Sequence, residues 1–321
     1  MKFNYKLIRT ILVGATAVLL LTGCETEKDK NMEAYRQYGI NCMDQKDYEG
    51  AVSAFQKALD QSNGRIGAKE LDLSFYKAEA QYLTGDYDAA LDTYNTLLEY
   101  DKKNADVYYL RGNLYFTKGE SEKAAEDYAK AIELDDDNYE LYIGIYQSLA
   151  ANDMKDDGEY YLNKALSIKG DSAEDNTQKG RIYLMLEDTA KAEEYLKKAL
   201  DSDSVEANFY MAQVCQTNGD EDAAQEYIQT YLDSGKVTSE DLYQIGKQQL
   251  ENEHYEQAVT YFEAGLAMDE VPNEQALMRA CISAYEYKGD FASAKTMMEK
   301  YIKAYPDDQE AARENTFLQT R

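Results

Sequence analysis

An all-α fold built from about eight stacked helix hairpins is what this 321-residue sequence predicts. Three observations carry that expectation. The chain has 30 tyrosines, no tryptophan and only two prolines, with 44% hydrophobic residues, which suits long amphipathic helices over a sizeable core. A small residue recurs at Ala51, Ala90, Ala124, Gly158, Ala192, Ala224, Ala258 and Ala294, at steps of 39, 34, 34, 34, 32, 34 and 36 residues. Four residues after each stands a larger side chain, Phe55, Tyr94, Tyr128, Leu162, Leu196, Ile228, Phe262 and Met298, on the same helical face one turn on.

The segments around these positions share one frame. KDYEGAVSAFQKALD (46–60), GDYDAALDTYNTLLEYD (85–101) and GESEKAAEDYAKAIELD (119–135) each read as a turn followed by a helix with a small residue and then an aromatic facing inward. About twelve residues before each small residue sits a second one, Gly39, Ala78, Gly112, Gly180, Ala212 and Gly246, with Tyr146 and Ile282 as departures. Small residues on both segments let two antiparallel helices approach closely across a tight turn. After Pro306, the stretch DDQEAARENTFLQTR reads as one more helix, with Ala311, Glu314, Phe317 and Leu318 near one face.

This pattern resembles the tetratricopeptide repeat, a helix-turn-helix unit of about 34 residues. The copy at 105–138 matches it best, with Tyr108, Gly112, Tyr115, Gly119, Ala124, Tyr128 and Ala131 at the signature places. The fourth and sixth copies depart most, the fourth with Tyr146 where a small residue is usual and Gly158 in place of alanine. The resemblance implies a right-handed superhelical solenoid of about eight repeats over 32–308, closed by a capping helix at 309–321. One hairpin cannot bury its apolar face alone, so neighbours must stack.

The N-terminus follows another plan. Residues 1–10 carry Lys2, Lys6 and Arg9 and no acid, and an apolar run of 11 residues follows. That is a signal peptide rather than a membrane span, for which about 20 apolar residues are needed. Leu21, Thr22, Gly23 and Cys24 resemble the lipobox of bacterial lipoproteins. By that resemblance residues 1–23 are removed and the Cys24 sulfur carries a diacylglycerol, a two-chain anchor. Removal of three basic residues takes the net charge from -27 to -30. Residues 24–31 would comprise the lipidated cysteine and a short polar tether, Glu25 to Asn31, that reaches at most about 25 Å if extended and so holds the acidic body beyond the Debye length of about 8 Å from an anionic membrane. The expected location is the outer face of a bacterial cytoplasmic membrane, or the periplasm of a two-membrane cell.

Catalytic chemistry lacks its residues. His254 is the only histidine, and the sequence contains no GxxxxGK[ST], GxSxG or CxxC. Cys42, Cys215 and Cys281 fall on different repeats, too far apart along such an array to bridge, and read as buried free thiols. The acidic groups LDDDN (134–138) and DSDSVE (201–206) lack the glycine and terminal glutamate of a calcium loop and suit helix ends. No enzyme activity, cofactor or metal is expected. The acidic surface repels nucleic acid and favours basic partners.

In tetratricopeptide arrays the first helix of each hairpin lines a groove. That resemblance points to Phe75, Glu79, Tyr82, Tyr109, Asn113, Phe116, Gln147, Arg181, Phe209, Gln213, Tyr243 and Lys247 as the candidate partner face. Aromatics there give contact area at low entropic cost, and amides can pair with a peptide backbone. The lysine and asparagine set with which the family's chaperone-binding members hold a peptide carboxylate is absent, since Asn113 stands nearly alone. The expected function is a non-catalytic, membrane-anchored adaptor that docks other envelope proteins or peptides. A surface lipoprotein that binds glycans or peptides is the alternative.

Overall fold

The structure, a computed structural model, describes residues 26–319 apart from 63, 65 and 307. The lipobox of Leu21, Thr22, Gly23 and Cys24 therefore lies outside the described residues, as does the signal segment before it. The described residues form 17 helices and no strand. They divide into two compact units at Lys169 and Gly170.

The first unit contains four hairpins. They are α1 (Glu27–Asp44) with α2 (Tyr48–Asp60), α3 (Ala68–Thr84) with α4 (Tyr87–Tyr100), α5 (Ala105–Thr117) with α6 (Ser121–Leu134), and α7 (Tyr139–Ala150) with α8 (Lys155–Ala165). The second unit contains four more and a single last helix. Its pairs are α9 (Ala173–Met185) with α10 (Thr189–Asp201), α11 (Glu206–Thr217) with α12 (Glu221–Asp233), α13 (Ser239–Glu251) with α14 (Tyr255–Leu266), and α15 (Glu274–Lys288) with α16 (Phe291–Ala304); α17 spans Gln309–Leu318. Within each unit the second helix of a pair also meets the first helix of the next, between α12 and α13 through Tyr231, whose hydroxyl donates to Asp241 at 3.0 Å, so the fold is an all-α array of consecutive helix-turn-helix pairs.

The turns repeat as regularly as the core. Lys46, Gly85, Gly119, Asp153, Glu187, Gly219, Glu253 and Gly289 all take the left-handed conformation, one per hairpin and at the spacing of the small residues. Directly after five of them, Asp47, Asp86, Asp188, Asp220 and Asp290 cap the second helix by accepting a backbone N–H with the side chain. Each cap answers an N–H that the helix itself leaves unbonded.

The small-residue stripe performs the close approach expected of it. A Cβ placed on Gly39, Gly112, Gly180 or Gly246 would lie 2.5, 2.8, 2.5 or 2.6 Å from the ring or branch of Phe55, Tyr128, Leu196 or Phe262. These four first helices thus touch the large residue of their own partner helix with bare backbone. At Tyr146 and Gly158 the volumes are exchanged: a Cβ on Gly158 would meet Tyr146 Cδ2 at 2.9 Å. The departure in this hairpin is therefore a reciprocal swap in which the bulk moves to the first helix and the space to the second.

Three placements differ from expectation. Helix α1 already begins at Glu27, because Thr26 and Asp29 form a capping box, so residues 27–31 are helical rather than an extended tether. In α17, Ala311 and Leu318 are buried with Ala294 and Met298, and Glu314 pairs with Arg279, but Phe317 is 50% exposed. Its register is one residue short of the Leu318 stripe, which turns the ring outward. The third difference concerns the partner face and is described below. Cys42, Cys215 and Cys281 are free and buried, as the sequence predicts, and burial pushes the Cys281 thiol up to about 12.

Candidate interaction face

In the first unit, Phe75, Glu79 and Tyr82 follow one another on α3 at spacings of four and three, which place them on one face. Tyr109, Asn113 and Phe116 repeat that register on α5, and Gln147 holds the place of Glu79 and Asn113 on α7. Contacts between successive first helices bring these faces together. The Tyr82 hydroxyl lies 3.4 Å from Thr117 Oγ1 of α5. The Tyr109 hydroxyl reaches α7 so closely that a Cβ on Gly144 would be 2.7 Å from it. Ser148 Oγ on α7 donates to Asn113 Oδ1 at 2.8 Å.

Those contacts remove some of the predicted residues from a partner's reach. Tyr109 and Asn113 are buried, and so is Phe209 in the second unit. Asn113 Oδ1 also accepts from the Tyr128 hydroxyl at 2.7 Å, while its Nδ2 is buried without an acceptor. These side chains join helices to one another rather than line a free surface. Phe75, Tyr82, Phe116 and Gln147 remain partly accessible. Glu79 is buried at 8% exposure, and desolvation pushes its carboxyl up to about 7. At the start of α5, burial and the neighbouring Asp135 push Asp106 up to about 6.

The second unit has its own set. Arg181 on α9 is half-buried, donates to Gln178 at 3.3 Å and lies 5.9 Å over the Tyr210 ring. Phe209 on α11 sits between Tyr210 and Tyr231, with ring centroids at 5.1 and 5.6 Å, and Gln213 one turn on is half-buried. On α13, the half-buried Tyr243 leans on Phe262, and the exposed Lys247 lies 3.7 Å from Glu251. A cleft of about 160 Å³ in this unit is lined by Gln216, Gln249, Asn252 and His254 among others. There His254 Nδ1 meets Gln249 at 3.0 Å and Nε2 lies 3.7 Å from Glu221, and no nucleophile stands beside the ring. Among the described residues no group of three or more His, Cys, Asp or Glu is arranged to hold a metal.

One polar cluster was not anticipated from the sequence. Arg111 grips Asp127 through two parallel bonds, Nε to Oδ2 at 2.8 Å and Nη2 to Oδ1 at 2.7 Å, and reaches Asn95 with Nη1 at 2.7 Å. Its guanidinium also lies over Tyr108 and Tyr115. It fastens α5 to both its partner α6 and the preceding α4. The shared separation of 16 residues from Asn95 to Arg111 and from Arg111 to Asp127 was the available signal, because it is the offset between facing positions of adjacent helices.

Arrays of this kind belong to the class of helical-repeat scaffolds typical of protein–protein interaction. The chain is a tetratricopeptide-repeat protein. The family described as "TPR repeat" matches residues 78–119, and "Tetratricopeptide repeat" matches 105–138 and again 176–206. The family described as "Outer membrane lipoprotein" matches residues 235–319. No curated protein matches the chain in sequence. Among solved structures, a tetratricopeptide repeat protein from Parabacteroides merdae is 17% identical, with 79% of this chain and 99% of that one covered and a TM-score of 0.49. The pilF protein of Pseudomonas aeruginosa is 16% identical over 66% of this chain and 96% of its own, at a TM-score of 0.40. PilW, a type IV pilus biogenesis factor, is 20% identical over 66% of this chain and 99% of its own, also at 0.40. Among the described residues no helix is long and apolar enough to cross a membrane.

Proposed function

We propose that this chain is a non-catalytic adaptor of the bacterial cell envelope, anchored by lipid at Cys24, that captures segments of other envelope proteins on its first-helix face. The observation that carries the reading is the register of α3, α5 and α7. On these three helices Phe75, Tyr82, Phe116 and Gln147 stay accessible, while Asn113 ties α5 to α6 through Tyr128 and to α7 through Ser148. A preformed face of this kind binds without the entropic cost of ordering a loop. The match of residues 235–319 to an outer membrane lipoprotein family supports an exported, anchored location. A lipid anchor raises the effective concentration of partners at the same membrane. With a net charge of -27, basic partners are favoured, and their association weakens as salt is raised.

The reading is tested by crosslinking in intact cells, followed by purification of the lipidated chain and mass spectrometry, with Phe75→Ala/Phe116→Ala as the comparison. A set of proteins recovered with the natural face and lost with the variant is expected; equal recovery contradicts it. Cys24→Ala abolishes labelling by radioactive fatty acid if the anchor is as proposed, and labelling that survives the change removes the anchor from the account. The glycan-binding alternative draws on exposed tyrosines such as Tyr287, which is 67% exposed and stacks on Tyr255 at 5.6 Å. Retention on polysaccharide affinity gels decides for it.

A further inference from the structure

Glu79 and Tyr94 stand 15 residues apart, as do Asn113 and Tyr128 one hairpin later. In the later pair the tyrosine hydroxyl donates to the amide oxygen at 2.7 Å. In the earlier pair no such bond forms, although Tyr94 holds the place on its second helix that Tyr128 holds one hairpin later. Among the described residues the first unit has four buried polar side chains, Glu79, Gln81, Asn113 and Asp127. Gln81 accepts from Thr93 at 2.7 Å, Asn113 accepts from Tyr128 and Ser148, and Asp127 holds Arg111. Glu79 alone among the four has neither a hydrogen bond nor an ion pair with any described residue.

Leaving a carboxylate buried and unpaired costs several kcal/mol, so such a group either takes up a proton or takes a cation. Three cations on or near these helices are engaged elsewhere: Lys77 with Gln56, Lys118 with Asp88 and Arg111 with Asp127. The two carboxylate oxygens are matched more nearly by the three donors of an ammonium group than by the five of a guanidinium, which would leave more donors unpaired. Tyr82 and Tyr94 add aromatic faces, which attract a cation.

We propose that Glu79, with Tyr82 and Tyr94 beside it, is the receptor for a single lysine side chain of a partner protein. The assignment rests on the reading of this face as partner-binding and narrows it to one chemical group. A lysine stem of four methylenes suits a partly apolar approach and delivers its charge to a carboxylate that has none.

The test is calorimetric titration of the intact chain with acetylated tetralysine amide at physiological salt. Natural chain, Glu79→Gln and Glu122→Gln are compared, the last removing the same unit charge from an exposed place on α6. A loss of about tenfold or more in affinity for Glu79→Gln, with Glu122→Gln unchanged, is expected for a buried charge pair. Equal behaviour of the two variants, or no measurable binding by the natural chain, overturns the lysine site, as does equal or tighter binding of tetraarginine. Glu79→Gln is isosteric and removes a buried charge, and an unaltered circular dichroism spectrum checks that it folds. These outcomes are separable from failure of the adaptor reading, which is decided by recovery of partners with Phe75→Ala/Phe116→Ala.

Discussion

The Tyr128 hydroxyl donates to Asn113 Oδ1 at 2.7 Å across the hairpin of α5 and α6. Ser148 Oγ, from the next hairpin, ends on the same oxygen at 2.8 Å. One amide therefore fixes the internal geometry of a repeat and its docking to a neighbour. Asn113→Ala strands two hydroxyls and destabilises the chain by about 2 kcal/mol. Tyr128→Phe removes only one donor and costs about 1 kcal/mol. Urea unfolding of both single variants and the double checks the order, and the double is less destabilised than the sum.

Arg111 and Asp127 give a larger effect. Their side chains are 18% and 7% exposed, and Arg111→Met leaves the acid buried with no counter-charge. A loss of about 3 kcal/mol follows. Arg111→Met combined with Asp127→Leu recovers much of it, because no stranded charge remains. At the more exposed pair of Arg36 and Asp72, with 28% and 24% exposure, the loss for Arg36→Met stays below about 1 kcal/mol. Thermal unfolding of the three variants tests the ranking.

The Tyr146 and Gly158 exchange predicts coupling. Gly158→Ala drives a methyl into the tyrosine ring and costs about 1–3 kcal/mol. In a Tyr146→Ala background the same change costs less, since the ring is gone and only the backbone O and Cα of residue 146, at 3.2 and 3.3 Å, remain close, while alanine suits a helix better than glycine by about 1 kcal/mol. A double-mutant cycle measures this, and additivity of the two changes contradicts the swap.

The pH dependence has a definite sign at Glu79. Its carboxyl is raised by burial from 4.5 to about 7. A group raised on folding contributes stability that is fully present below its unfolded value and is lost as pH rises through its folded value. Stability therefore falls between about pH 4.5 and 7 on account of this group, by about 3 kcal/mol for a shift of this size. Glu79→Gln is expected to remove that slope and to be the more stable chain at pH 8. Unfolding curves at pH 5 and pH 8 for both chains decide it, and a lysine ligand should close the gap at pH 8.

Much of the fold was legible because it depends on volume at fixed spacing. Ala51, Ala124 and Ala258 mark second helices, and Gly39, Gly112 and Gly246 mark their partners, with no need to know which neighbour touches which. The face was less legible. Periodicity places Tyr109, Asn113 and Phe209 on the expected side of their helices, but the depth of burial depends on how far the next first helix leans over them. Asn113 is covered by Ser148 from 35 residues away, and Tyr109 by the backbone of Gly144. Arg111 escaped notice for a related reason: a lone arginine reads as a surface charge until Asp127 and Asn95 converge on it. Phe317 was misplaced by a single residue of helical register.

The central claim is that partners are held on the accessible first-helix face of the first unit. A photo-crosslinking amino acid placed in living cells at Phe116, Gln147 or the outward-facing Glu122, followed by immunoblotting of the full chain, tests it most directly. The same discrete adduct is expected from Phe116 and Gln147 and none from Glu122. Adducts from Glu122 alone, or equal adducts from all three positions, would contradict it.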